Sequence, residues 1–68
     1  MEDEGLIWIL YDNKIMIDCF KSVYILLRHP RFINSECPYK KIDIVRMQNG
    51  DLLMWNCAKW IIECHLLK

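Results

Sequence analysis

The residues best suited to chemistry in this sequence of 68 residues are four cysteines and two histidines. Zinc sites usually draw their ligands from closely spaced pairs such as Cys-x-x-Cys, and the sequence contains no such pair. Cys57 and Cys64 would lie about 10 Å apart along a helix, too far apart for two thiolates to bind one ion at about 2.3 Å. His65 directly follows Cys64 and would point in a different direction. We therefore expect no metal and no cofactor.

A cysteine nucleophile is the second chemistry to consider. Cys19 and Cys57 each fall at the predicted start of a helix, where the helix dipole stabilises a thiolate. Neither is surrounded by a cysteine-hydrolase motif, and a chain this short has little room for a substrate cleft. The carboxylates form no acid–base pair, and Gly5 and Gly50 alone cannot form a phosphate-binding loop. The sequence predicts a protein that is not an enzyme, has no catalytic residue and takes no small-molecule substrate.

The compartment is inferred from the start of the chain and from its apolar runs. Met1-Glu2-Asp3-Glu4 is acidic, whereas a secretory signal begins with a positive region. The longest apolar runs, Leu6–Tyr11 and Val23–Leu27, are far shorter than the roughly 20 residues of a membrane helix. We expect a cytoplasmic protein without membrane contact, in the host cell if a phage or virus encodes it. Its cysteines should be free thiols, mostly buried.

The first half of the sequence predicts a β-hairpin followed by a helix. Residues 6–11 and 14–17 are rich in β-favouring side chains, and the turn pair Asp12-Asn13 separates them. Asp18 can then cap a helix over Cys19–Arg28, in which apolar side chains recur at spacings of three and four.

The second half predicts the same order of elements. Residues 41–47 and 52–55 flank Asn49-Gly50, and Asn-Gly is the strongest short hairpin signal. Asn56 can cap a final helix over Cys57–Leu67, where five apolar side chains fall on one side.

The strand–strand–helix order thus occurs in two units, residues 5–29 and residues 41–68. A linker over residues 30–40, which contains Pro30 and Pro38, joins them. We predict a single α+β domain over residues 1–68, with a four-stranded, mainly antiparallel sheet and two helices in a ββα-ββα pseudo-repeat. Duplication of an ancestral unit and simple structural pseudo-symmetry both explain this order.

Pairing through two-residue turns assigns the strand side chains to two faces of the sheet. One face, expected to pack on the helices, would carry Trp8, Leu10, Ile15, Ile17, Val45, Met47, Leu52 and Met54. The opposite face is also largely apolar, with Ile7, Ile9, Met16, Ile42, Ile44, Leu53 and Trp55. An antiparallel sheet with one wet face should alternate apolar and polar residues, so the second apolar face needs a cover.

The cover could be a helix or the linker of the same chain, a second copy, or another protein. Hydrophobic residues make up 54% of the sequence, more than one small core can hide. We therefore predict a non-catalytic protein–protein interaction module, a small regulator or inhibitor that binds a larger protein or forms a homodimer. Small inhibitors encoded by phages and mobile elements are of this size, so an origin of that kind fits the prediction. The predicted interface residues are Ile7, Ile9, Tyr11, Met16, Ile44, Leu53 and Trp55.

The alternative is a small nucleic-acid-binding regulator. Nine basic residues balance nine acidic ones, so no overall field draws the chain to nucleic acid. A local basic patch in and beside the linker could bind phosphates: Arg28, His29, Arg31, Lys40 and Lys41. Cations near a helix C-terminus also complement the helix dipole, and for this reason the protein partner is favoured.

Overall fold

The computed structural model describes residues 5–67 and has an α+β fold, as predicted: a four-stranded antiparallel sheet packs on three short helices. The elements in chain order are β1 (Leu6–Asp12), β2 (Ile15–Phe20), α1 (Val23–Arg28), α2 (Pro30–Asn34), α3 (Lys41–Val45), β3 (Leu52–Trp55) and β4 (Trp60–Leu66). The strands lie in the order β2-β1-β4-β3, so the first and last strands form the centre of the sheet. The acidic run Glu2-Asp3-Glu4 lies outside the described residues.

The first predicted hairpin is present, with its turn one residue later than the predicted Asp12-Asn13. Asn13 and Lys14 occupy the turn with φ of 55° and 70°, and this left-handed backbone matches the twist of a two-residue hairpin. Because the turn still has two residues, Met16 lies on the same face of the sheet as Tyr11, as predicted. The two residues are directly opposite each other on the paired strands. A bulge follows, between Tyr11 and its neighbour Leu10.

Strand β2 extends further than predicted, and the first helix begins later. Phe20 pairs with Trp8 and is buried, so packing into the core holds it in the strand. Helix α1 is capped by Ser22, whose hydroxyl accepts a hydrogen bond of 3.2 Å from the Tyr24 N–H. Asp18, the predicted cap, instead lies within β2.

The predicted linker over residues 30–40 contains helix α2. Pro30 occupies its first turn, where the missing N–H of proline leaves no bond unmade. His29 caps the helix, since its Nδ1 accepts a hydrogen bond of 3.1 Å from the Arg31 N–H. The proline that was expected to end one helix therefore also starts the next.

Residues 41–47 were predicted as a strand and form helix α3 with the turn after it. Ile44 and Met47 are buried, and a spacing of three places them on one helix face. The backbone N–H of Lys40 binds the Asp43 carboxylate at 2.9 Å, which satisfies a donor at the helix start. The strand prediction was wrong because β4, rather than this segment, lies beside β3.

The Asn49-Gly50 turn consequently joins α3 to β3 rather than two strands. Gly50 has φ of 95°, a backbone conformation that glycine adopts without strain. The Gln48 N–H donates to the Asp51 carboxylate at 2.8 Å and fixes the turn. The local signal for a turn was therefore correct, and so was the strand predicted over residues 52–55, which is β3. The strand predicted before the turn was wrong.

The actual second hairpin pairs β3 with β4 through residues 56–59, which were predicted to start a helix. Trp60, Ile62 and Cys64 are buried and the residues between them are half-buried, the alternation of a strand. The predicted helix over Cys57–Leu67 is therefore wrong. The second half runs helix–strand–strand, and the ββα-ββα pseudo-repeat is matched only loosely.

The core lies between the three helices and one face of the sheet. Two indole N–H groups join the layers: Trp8 donates to the Ile44 carbonyl and Trp55 to the Ser35 carbonyl, each at 3.2 Å. The buried residues form one cluster, Trp8, Leu10, Phe20, Val23, Leu26, Phe32, Ile44, Met47, Trp55, Trp60, Ile62 and Cys64.

Candidate functional site

The face of the sheet turned away from this core carries no helix in the described part of the chain, and we call it the open face. The pairing register identifies its side chains, because residues opposed on neighbouring strands share a face. They are Ile7, Ile9 and Tyr11 of β1, Met16 and Cys19 of β2, Leu52 and Met54 of β3, and Ile61, Glu63 and His65 of β4.

The open face is predominantly apolar and accessible. On the outer strands, Met16 is 54% exposed, Leu52 47% and Met54 49%. On the central strands, Ile9 and Ile61 are half-buried by their neighbours. A contiguous apolar surface of this kind usually marks an interaction site in a soluble protein.

A group of three polar side chains interrupts this apolar surface near its centre. The Tyr11 hydroxyl donates to Oε1 of Glu63 at 3.4 Å, and Nε2 of His65 lies 2.8 Å from the same oxygen. Partial burial raises the pKa of the Tyr11 phenol, and the charge of Glu63 and its hydrogen bond raise it further. Tyr11 and His65 therefore hold the carboxylate of Glu63 in place on the open face.

Four of the seven predicted interface residues come together on the open face: Ile7, Ile9, Tyr11 and Met16. The other three lie on the helix side. Ile44 is fully buried in α3, Trp55 is 6% exposed, and Leu53 packs against the core. The cause is the strand pairing, since β3 pairs with β4 and not with residues 41–47, which reverses the expected faces.

Sequence reasoning missed the β3 and β4 side chains of this surface: Leu52, Met54, Ile61, Glu63 and His65. The β4 residues do have a signal in the sequence. From Ile62 to Leu66 apolar residues alternate with the polar Glu63 and His65, which is the pattern of a strand. A helical spacing of apolar residues in the same segment obscured it. Leu52 and Met54 were assigned to the helix side because the partner strand was wrong.

On each edge strand of the sheet, a main-chain group already forms a hydrogen bond with a side chain. On β3, the Met54 carbonyl accepts a hydrogen bond of 2.8 Å from the Tyr39 hydroxyl. On β2, the Cys19 N–H donates to the carboxylate of Asp18 at 2.8 Å, and the bulge disturbs the regular spacing of the strand. Devices of this kind hinder the addition of another strand, so the open face is more accessible to a partner than the edges.

The predicted basic patch is divided among several internal contacts. Arg31 forms an ion pair with Asp12 at 2.5 Å and lies over the Trp60 ring. Nε2 of His29 lies 3.8 Å from a carboxylate oxygen of Asp18.

The remaining three members of the patch lie at α1 and α3. Arg28 donates from Nε to the Tyr24 carbonyl at 3.4 Å, and the Lys41 ammonium lies 4.1 Å from the centre of the Tyr24 ring. Lys40 is exposed at the start of α3. Nucleic-acid-binding proteins often stack an exposed aromatic ring on a base. Lys41 covers one face of the Tyr24 ring and so hinders such stacking.

The cysteines are less buried than expected. Cys64 is fully buried and Cys37 half-buried, whereas Cys19 and Cys57 are exposed. Burial raises the pKa of the Cys64 thiol, and the charge of Asp51 adds to this. Within residues 5–67, no group of three or more His, Cys, Asp or Glu side chains is placed to hold a metal ion.

An open groove of about 710 Å³ lies on the helix side, where the end of α3 meets the ends of the two central strands. Its lining combines apolar and polar side chains, Leu6, Trp8, Val45, Arg46, Met47, Gln48, Asn49 and Leu66. By register, its sheet residues face the helices and do not belong to the open face.

No helix among residues 5–67 has both the length and the apolar character needed to cross a membrane. Comparison of the chain with protein-family models, with curated proteins and with solved structures gives no match.

Proposed function

We propose that this chain is a non-catalytic protein-interaction module, a small regulator or inhibitor of a larger protein, and that it binds this protein through the open face. One observation carries the proposal: all three helices pack on one side of the sheet, and the other side is apolar and uncovered in residues 5–67.

Leaving the open face in water costs free energy. Each square ångström of apolar surface removed from water contributes about 25 cal/mol, and the outer side chains Met16, Leu52 and Met54 each remain about half exposed. An antiparallel sheet that faces water normally presents polar residues on that face. A protein partner that covers the open face would recover this free energy.

The alternative function, binding of nucleic acid, has weaker support from the geometry. Phosphate binding needs cations that are free to approach the backbone of the nucleic acid. Arg31 is engaged by Asp12, and Lys41 lies over Tyr24. A protein partner is therefore the proposal that the arrangement of side chains favours.

The test uses two neighbouring residues on opposite sides of β2. Met16 lies on the open face and is 54% exposed; Ile15 opposes Asp12 on the other side and is 66% exposed. We would compare the wild-type chain, Met16→Lys and Ile15→Lys as baits for proteins of the cell that produces the chain, and then measure affinities with the purified partner.

The expected result is a partner that binds the wild type and Ile15→Lys and loses at least about tenfold in affinity for Met16→Lys. Circular dichroism would establish that both variants fold, as expected for substitutions at exposed positions. A partner that binds both variants equally well would place the interface elsewhere and refute the proposal.

A further inference from the structure

We infer that the open face receives an amphipathic helix of the partner, and that this helix carries one lysine or arginine within its apolar stripe, which binds Glu63. The inference rests on the proposed function and specifies the chemistry of the partner.

Glu63 lies at the centre of the open face. On β4 it opposes Ile9 of β1 on one side and Leu52 of β3 on the other. Its side chain is only 30% exposed in the isolated protein, so neighbouring side chains already cover much of it. Among residues 5–67 it is the one carboxylate of this face, and its central position is where a partner would bury it most completely.

The two hydrogen-bonding partners of this carboxylate leave it incompletely satisfied. Among residues 5–67, the contacts from Tyr11 and His65 both end on Oε1. A carboxylate can accept several hydrogen bonds on its two oxygens, and removing it from water without further donors or a counter-charge is strongly unfavourable. A partner that covers the face therefore needs a cationic donor opposite Glu63.

The same charge argues against a second copy as the occupant. A twofold dimer formed through the open face would bring the same surface together from both subunits. With Glu63 central, the two carboxylates would be desolvated near each other, and like charges at an interface are unfavourable. A partner of opposite charge at this point is the better fit.

The shape of the site favours a helix over a strand. A strand would add at an edge, where the Met54 carbonyl and the Cys19 N–H are already bonded. The four strands span about 14 Å between the axes of the outer two, and a helix with its side chains is about 10 Å wide. About 16 residues of helix match the length of a central strand, about 24 Å.

The experiment uses a displayed library of amphipathic helical peptides about 16 residues long. Apolar residues occupy the stripe, and its central position is varied over all amino acids. Peptides are selected against the wild-type chain, Glu63→Gln, Glu63→Lys and the control Glu36→Gln. Glu36 is exposed and lies in the turn after α2, away from the open face. Circular dichroism checks that each variant folds.

We expect the wild type and Glu36→Gln to select lysine or arginine at the central position. Glu63→Gln should lose this preference, and Glu63→Lys should select glutamate or aspartate. Replacing the selected cation by leucine should weaken binding to the wild type at least about tenfold. Binding of each selected peptide should fall in Met16→Lys and persist in Ile15→Lys.

Four outcomes would overturn the inference, and they differ in what they mean for the proposed function. Selected peptides that depend on Met16 but carry an apolar central residue would refute the role of Glu63 and leave the open face as the interface. Peptides that bind without dependence on Met16 would refute both. No selected peptide at all would refute the helical occupant and leave the open face to the affinity comparison of Met16→Lys and Ile15→Lys. A wild-type chain that sediments as a dimer, and as a monomer after Met16→Lys, would make the second copy the occupant.

Discussion

The hydroxyl of Tyr39 donates a hydrogen bond of 2.8 Å to the main-chain carbonyl of Met54, and this bond connects the segment between α2 and α3 to edge strand β3. The Tyr39 ring also packs edge-on against Trp55, with ring centres 6.0 Å apart. The segment therefore closes the core and occupies an acceptor on the edge of the sheet.

Removal of this hydroxyl by Tyr39→Phe should lower the free energy of unfolding by about 1 kcal/mol, because one hydrogen bond is lost while the ring contact with Trp55 remains. Urea unfolding followed by circular dichroism measures the change. Tyr24→Phe is the control, since Tyr24 is 59% exposed and contacts Lys41 through its ring. Equal stability of Tyr39→Phe and wild type would show that the hydroxyl contributes nothing.

Trp55→Ala should strongly destabilise the fold rather than only weaken partner binding. Trp55 is 6% exposed, stacks on Trp60 with ring centres 6.3 Å apart, and packs edge-on against Phe32. Truncation of a buried aromatic residue costs about 3–5 kcal/mol, and a domain has only about 5–15 kcal/mol in total.

The control for this variant is the adjacent Met54→Ala, because Met54 is 49% exposed on the open face. Thermal unfolding should show a small change for Met54→Ala, below about 1 kcal/mol, and a large loss of stability for Trp55→Ala. A Trp55→Ala variant as stable as the wild type would contradict the placement of β3 with its Trp55 side towards the helices.

The first half of the fold could be predicted from the sequence because its signals are local. A hairpin of β-favouring runs needs only its own turn, and Met16 stayed on the face of Ile9 and Tyr11 although the turn moved by one residue. The α+β class followed from the same reasoning. Four open-face residues were identified in this way.

In the second half, the turn at Asn49-Gly50 and the strand over residues 52–55 were predicted correctly. The elements on either side of them were not, because their local signals fit two structures. Isoleucines at positions 42 and 44 alternate as in a strand, whereas Ile44 and Met47 have the spacing that α3 uses. The choice depends on β4 pairing with β1, a contact between the two ends of the described chain. Glu63 and His65 were missed as site residues for this reason, since their face depends on that pairing.

Ala58→Gly should stabilise the protein by about 0.5–1 kcal/mol. The loop between β3 and β4 holds Asn56, Cys57 and Ala58 at φ of 54°, 56° and 66°. A residue with a Cβ pays about 1 kcal/mol or more in this left-handed conformation, and glycine does not, although glycine also loses more entropy on folding. Chemical denaturation measures the difference. A loss of stability would show that this loop does not keep its left-handed backbone in solution.

The cysteines should separate into distinct classes of reactivity toward a water-soluble thiol reagent. Cys19 and Cys57 are exposed and should react in the native state, while Cys64, fully buried with a raised thiol pKa, should react only on unfolding. Mass spectrometry of labelled peptides identifies each site. Rapid labelling of Cys64 under native conditions would contradict its burial in the core.

The same reagent reports on partner binding, because Cys19 lies on the open face and Cys57 does not. A peptide or protein bound to the open face should slow the labelling of Cys19 at least about tenfold while Cys57 keeps its rate. Slower labelling of Cys57 with unchanged Cys19 would place the bound molecule at the β3–β4 loop.

Tyr11 should make stability fall at alkaline pH. Partial burial, and then the charge and hydrogen bond of Glu63, raise the pKa of its phenol in the folded protein above the value of about 10 in the unfolded chain. The folded state therefore holds this proton more tightly, and the resulting stabilisation is present below about pH 10 and is lost as the pH rises through the folded pKa.

The difference in unfolding free energy between wild type and Tyr11→Phe, measured from about pH 8 to pH 11, isolates this contribution. The wild type should lose stability more steeply above about pH 10. The phenolate absorbance of Tyr11, obtained by subtracting the Tyr11→Phe titration, should appear at lower pH in Glu63→Gln and be unchanged in Glu36→Gln. An identical titration in both glutamine variants would show that Glu63 does not act on Tyr11. It would contradict the hydrogen bond between these two residues on the open face.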